Sequence, residues 1–154
     1  MDKFNRFHTP ATYALVRLDW ALIGAASLVL LIVHHSEVRW SHFTYAFLFP
    51  DVISVLPGLY FYYGRRSGAR RSIPGIIHKL YNFGHSFATA AAICAVWWIA
   101  GHGFAWAMLA FPIHLCGDRS LFGNTYKPLG LAFEPVPHEA WVRFERDYEA
   151  AGSW

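Results

Sequence analysis

Charged residues are scarce in this chain, and cysteine is nearly absent. Of 154 residues, Lys and Arg supply 13 and Asp and Glu 10, together 15%. The formal charge of +3 does not make a nucleic-acid face. The basic residues stand beside hydrophobic runs, where they act as topology signals and head-group contacts, so soluble nucleic-acid binding is set aside. Cys94 and Cys116 both lie inside apolar runs and form no CxxC pattern. That argues against a disulfide or cysteine-metal role and leaves buried, unpaired thiols. No A-x-A-like cleavage site follows the first apolar run, so this run is expected to be retained. The chain also lacks the internal repeat and paired broken helices of secondary transporters.

Apolar length is what the sequence has in abundance. With 55% hydrophobic and 18% aromatic residues, it exceeds an ordinary soluble domain and reads as an integral membrane protein. The expected architecture is all-α: four transmembrane helices over residues 1–130 and a cytoplasmic tail over 131–154. Span one runs from about Tyr13 to Val33, span two from Phe43 to Tyr63 through Pro50 and Pro57, and span three from Ile76 to Ala100. Span four starts near Phe104. Taken to Cys116 it falls short of the roughly 20 residues a crossing needs, unless it continues past Asp118 towards Phe122.

The distribution of Lys and Arg sets the expected orientation. Lys3, Arg6 and Arg17 precede or open span one, Arg65, Arg66, Arg70, Arg71 and Lys79 fall between spans two and three, and Arg119, Lys127, Arg143 and Arg146 follow span four. Only Arg39 stands on the opposite side, which places both termini in the cytoplasm, as in a bacterial inner-membrane protein. Trp20, Trp40, Trp97, Trp98, Trp106 and the Tyr60–Tyr63 cluster suit an interfacial aromatic belt. In the tail, Trp141, Phe144 and Tyr148 recur at helical spacing, which predicts a short amphipathic helix over 140–151.

Within this apolar frame sit ionisable side chains, which are costly at membrane depth and mark functional sites. Asp51 falls near the middle of span two. His78 stands at the start of span three, with His85 about 10 Å deeper. His114 and Asp118 lie one turn apart at the end of span four. Residues i and i+7 share a helix face, as do i and i+4, so both pairs can aim at one point in the inner half of the bundle. Imidazole plus carboxylate suits Zn, Mn or Fe. The expected metal ligands are therefore His78, His85, His114 and Asp118, with Asp51 as a fifth ligand or base and Arg119 holding an anionic substrate group.

FPD at Phe49–Asp51, HKLYNFGHS at His78–Ser86 and HLCGD at His114–Asp118 resemble, in order, three blocks of the membrane-bound metal-dependent hydrolase family. A closer likeness is to a small uncharacterised bacterial four-span family with YNxxH and HxxxDRxxG, here Tyr81–His85 and His114–Gly123. The resemblance covers roughly residues 30–130. Its second block differs from the hydrolase pattern in the wider His78–His85 spacing and in Gly84, which replaces a threonine. It implies a hydrolase-like site, and the expected chemistry is metal-assisted hydrolysis of a lipid-soluble or amphiphilic ester or phosphoester.

Structural alternatives stay open for each residue. His85 suits an interhelical hydrogen bond, His78 a solvated interfacial position, Asp51 a partner such as Tyr45, and His114 with Asp118 an ion-pair set with Arg119. His34, His35, Glu37 and His42, with His102, form a second group at the opposite face, suited to Cu or Zn or simply to solvent. Two other functions compete. Haem or chlorin binding would use His35 with His85, or His85 with His114, beside the small residues Gly24–Ala26 and Ala88–Ala92. A non-enzymatic subunit of a larger membrane complex, or a homo-oligomer, would use those same small-residue faces.

Overall fold

The computed structural model describes residues 10–64, 73–133 and 135–152. Among them every regular element is helical: α1 (Pro10–Val33), α2 (Trp40–Leu59), α3 (Gly75–Gly84), α4 (Phe87–Trp97), α5 (Ala110–Gly117) and α6 (Glu139–Ala151), with short 3₁₀ and π turns between them. Arg65, Arg66, Arg70 and Arg71 of the basic loop, and Lys3 and Arg6, lie outside the described residues.

At 24 residues α1 is about 36 Å long, and it is apolar around most of its circumference. Only Ser27 and Leu31 are buried, whereas Leu15, Leu22, Ile23, Val29, Ile32 and Val33 are exposed. An apolar surface this continuous is typical of a helix solvated by hydrocarbon. The Ser27 hydroxyl satisfies itself by donating to the Ile23 carbonyl at 2.9 Å. The second helix runs unbroken through Pro50 and Pro57 and continues as a π turn to Gly64. Both α1 and the stretch Trp40–Tyr63 are long and apolar enough to cross a membrane.

The third apolar segment is not one straight helix. The pair α3 and α4, the latter prolonged by a π turn to His102, is bent by 59°, the geometry of a broken span or a re-entrant loop. The bend has a local cause. Gly84 ends α3 where it meets α2: an added Cβ there would stand 3.1 Å from the Pro50 Cα and 3.2 Å from its carbonyl oxygen. Ser86 then starts α4, its hydroxyl accepting from the Ala88 N–H at 3.2 Å. His85 is left at the corner.

The fourth segment does continue past Asp118. It is helical from Trp106 to Phe122, as a 3₁₀ turn, α5 and a π turn, about 25 Å in all. It is also the best-buried part of the chain, with Ala107, Ala110, Phe111, Leu115 and Cys116 enclosed by α1, α2 and α4. Gly24 lets α1 approach, since a Cβ there would sit 3.0 Å from the Cys116 Cβ. The segment ends at Gly123, whose φ of 69° lets the Asn124 N–H return to the Asp118 carbonyl at 2.9 Å. The chain then folds back along α3, where Asn82 clamps Lys127 by two hydrogen bonds: its amide donates to the Lys127 carbonyl (2.8 Å) and its oxygen accepts the Lys127 N–H (2.6 Å). The tail helix α6 starts at a His138 N-cap and carries the ladder Trp141, Phe144 and Tyr148.

Candidate metal centre

Two irregularities of the helices, and the close approach of α2 to one of them, bring the polar side chains together. Asp51 follows the buried Pro50 on α2, His85 sits at the α3–α4 corner, and His114 and Asp118 flank the passage from α5 into its π turn. Such π turns often occur at functional sites.

His85 is fixed twice. Its ring lies flat on that of Tyr81, with centroids 3.9 Å apart and planes 8° off parallel, and its Nδ1 donates to the Tyr81 carbonyl at 3.0 Å. Nδ1 therefore carries a proton, and Nε2 is the atom turned towards the cluster. That Nε2 lies 3.4 Å from Asp51 Oδ1 and 3.3 Å from Asp118 Oδ2. His114 repeats the arrangement. It is packed against the edge of the Phe47 ring, and its Nε2 lies 3.7 Å from Asp51 Oδ1 and 4.0 Å from Asp118 Oδ2.

Both Nε2 atoms are buried, and neither has a partner in hydrogen-bond geometry. An orphaned buried polar atom is uncommon and needs an explanation. Here two occur side by side, facing carboxylates that can only accept. Cation ligands share this property: bonds of 2.0–2.2 Å in a tetrahedral shell put neighbouring ligand atoms about 3.4 Å apart. The distances found, 3.3 to 4.0 Å, need little contraction to reach that spacing. Asp51, His85 and His114 each offer a ligand atom within 4.8 Å of the others, so a metal ion can be held there. The Asp51 side chain is 42% exposed and the Asp118 side chain 20%, against 5% and 6% for the two histidines. The centre is thus open on its carboxylate side.

The other expected site residues are placed differently. His78 is buried, but its Nδ1 is bonded to the Pro128 carbonyl at 2.7 Å and its ring meets Phe133 edge-on. The corner at Gly84–Ser86 is the reason: it turns His85 into the cluster, while His78, on α3, binds the returning 124–133 segment. Arg119 is also buried. It donates to the His85 carbonyl at 3.1 Å, and its guanidinium lies over Trp20 (4.6 Å), Phe87 (4.7 Å) and Tyr126 (5.6 Å). It braces the corner that carries His85; Nη1, the nitrogen without a partner, is buried as well.

α1 supplies the residues that sequence reasoning passes over. Arg17 donates from Nε to the Ser120 carbonyl (2.7 Å) and from Nη2 to that of Leu121 (2.8 Å), capping the π turn that follows His114. Its signal was a guanidinium inside an apolar run, which looks the same as snorkelling to the interface.

At the opposite face the outer residues divide into two groups. His34 stacks on Trp106 with centroids 3.7 Å apart, and both donate to Glu37, His34 Nδ1 at 2.8 Å and Trp106 Nε1 at 3.1 Å. Those two bonds, His34 first, hold the Glu37 carboxyl below its ordinary value. His35 is bonded to the Ile32 carbonyl, and His42 packs against Trp97, which in turn meets His102. Among the described residues these side chains do not gather into a ligand group as Asp51, His85 and His114 do.

Fold and site together define a helical chain with two or three segments long and apolar enough to cross a membrane, and a histidine–carboxylate group able to hold a metal ion. Comparisons with family models, with curated proteins and with solved structures give no match.

Proposed function

We propose that this chain is an integral membrane metal-dependent hydrolase acting on an amphiphilic ester or phosphoester. The observation that carries the reading is the pair of buried, unpartnered Nε2 atoms of His85 and His114 converging with the Asp51 carboxylate. Asp51, His85 and His114 would hold a divalent Zn, Mn or Fe ion, the donor set being imidazole plus carboxylate. Bound there, such an ion acidifies water and polarises a carbonyl or phosphoryl oxygen. Asp118 faces the same two rings and takes the proton of the attacking water. Arg119 keeps the His85 corner in place, and His78 holds the 124–133 segment. The half-open Asp51 side admits the substrate.

The membrane placement extends the same proposal. The broken α3–α4 span and the helical stretch 106–122 join α1 and α2 as four membrane segments, with the basic segments and the α6 tail on the cytoplasmic side of a bacterial inner membrane. The order of FPD, YNFGH and HLCGDR blocks supports a kinship with membrane-bound metal-dependent hydrolases. A haem or chlorin held between His85 and His114 is disfavoured, because Asp51 Oδ1 already lies within 3.7 Å of both ring nitrogens and leaves no slot for a macrocycle.

Metal analysis of the purified protein beside His85→Ala and His114→Ala tests the reading. One ion per chain in the parent and none in either variant is expected. Hydrolysis of chromogenic esters and phosphoesters should then fall by a factor of about 100 or more in Asp118→Asn at equal metal content. Equal metal content in all three chains would shift the protein to the role of a non-enzymatic subunit.

A further inference from the structure

A separate cavity lies towards the other end of α2. His42 stands nine residues before Asp51, roughly 13 Å along the helix axis. Together with Glu37, Arg39, Trp97, His102 and Trp106 it lines a polar cavity of about 530 Å³. Several polar groups around this space have no hydrogen-bond partner. His42 Nδ1 and Trp97 Nε1 are buried and unbonded, and an indole N–H can only donate. The Arg39 guanidinium makes no hydrogen bond or ion pair among the described residues. The carboxylate present, Glu37, is already occupied by His34 and Trp106. Leaving buried donors unsatisfied is costly, so the fitting occupant brings acceptors, and Arg39 selects a negative one.

A second cavity, of about 600 Å³, shares Trp97 and His102 with the first and, apart from Thr89, is otherwise apolar. It follows one face of α4, where Ala88, Ala92 and Ala100 leave a trough roughly 18 Å long. We infer that the two cavities form one bipartite site for a phospholipid. Its phosphate is held by Arg39, His42 and Trp97, and one acyl chain lies along α4. Donors arriving from the α1–α2 connector, from α2 and from the end of α4 suit the oxygens of a tetrahedral phosphate better than a flat carboxylate. Phe83, Val96 and Ile99 of the same segment are exposed apolar side chains, as on a lipid-facing surface. This site stands apart from the metal centre and does not depend on it.

The test uses the delipidated full chain in a phosphate-free detergent, titrated with phosphatidylglycerol, with diacylglycerol of the same chains, and with inorganic phosphate. Bound lipid is counted by native mass spectrometry. One phosphatidylglycerol per chain is expected, with diacylglycerol at least tenfold weaker and millimolar phosphate unable to displace the lipid. Arg39→Gln and His42→Ala should each weaken phosphatidylglycerol about tenfold and leave diacylglycerol unchanged. Ala92→Phe, a substitution at an exposed position that fills the trough, should weaken both lipids. Equal binding of the two lipids with no effect of Arg39→Gln overturns head-group recognition. Displacement by phosphate alone overturns the role of the trough.

Discussion

Asp51→Asn separates a metal centre from a proton-bridged lock. Both readings put Asp51 against His85 and His114 at 3.4 and 3.7 Å, but they differ in what neutralises the cluster. In the metal reading Asp51 and Asp118 bring two negative charges that a divalent ion cancels. Asparagine keeps the shape and removes one charge and one anionic ligand. A ligand present at 100 times its Kd stabilises the folded chain by about 2.7 kcal/mol. For a chain of this size that is a rise of roughly 5–10 °C in the unfolding midpoint when the ion is added after chelation. A tenfold weaker centre gains about 1.4 kcal/mol at the same ion concentration, and a hundredfold weaker one about 0.4 kcal/mol. The assay is thermal unfolding in detergent, with chelator and then with Zn or Mn, for the parent and Asp51→Asn. The parent should show the larger ion-dependent rise, and the variants should nearly coincide in chelator. If neither chain responds to ion while Asp51→Asn lowers the midpoint equally in both conditions, the cluster is an ion-pair lock and the metal reading is wrong.

Four further outcomes follow from other contacts. Arg119→Met keeps the apolar stem but loses the bond to the His85 carbonyl and the stacking on Trp20 and Phe87. It should cost about 2 kcal/mol in unfolding and weaken metal binding ten- to a hundredfold by loosening His85. Gly123→Ala forces a side chain into φ 69°, with its Cβ 2.5 Å from the Tyr13 hydroxyl, and should cost more than 1 kcal/mol; Tyr13→Phe should restore part of that loss in a double-mutant cycle. Gly84→Ala places a Cβ 3.1 Å from the Pro50 Cα, so α2 and α3 must separate, and metal content should drop along with a loss of about 1–3 kcal/mol. Glu37 has its carboxyl held below the ordinary value by His34 and Trp106, so its contribution is present above the ordinary carboxylate range and is lost as pH falls beneath it. An acid titration of Trp106 fluorescence should show that transition, and Glu37→Gln should abolish it.

The apolar spans are legible in the sequence because hydrocarbon imposes a minimum run of apolar residues, which α1 and α2 meet almost to the residue. Asp51, His85 and His114 are legible for the converse reason. A polar group inside such a run must find partners, and few exist. His78 is not separable from them in one dimension, because an uninterrupted helix would stack positions 78 and 85 on one face. What breaks that helix is the approach of Pro50 to Gly84, a contact between positions 34 residues apart. Arg119 is equally hidden. Next to a basic surface it reads as an anion holder, and only the ring faces of Trp20 and Phe87, from two other helices, turn it into a brace.

The site therefore rests on departures from regular helix. In a straight, proline-free α2 packed on a straight third helix, Asp51 and His85 would meet only if their faces happened to coincide, and each would carry its neighbours' register. Gly84 shortens the approach, Ser86 restarts the chain in a new direction, and the π turn at Asp118–Phe122 advances the backbone by one extra residue beneath His114. Each departure exposes backbone groups that an apolar surrounding does not satisfy, and each is met by a specific partner: Tyr81 and Arg119 for His85, Arg17 for Ser120 and Leu121. Such compensation is costly to assemble for a scaffold alone. Its concentration around two imidazoles with unpartnered Nε2 atoms is the structural reason to place the candidate metal centre at this end of the molecule.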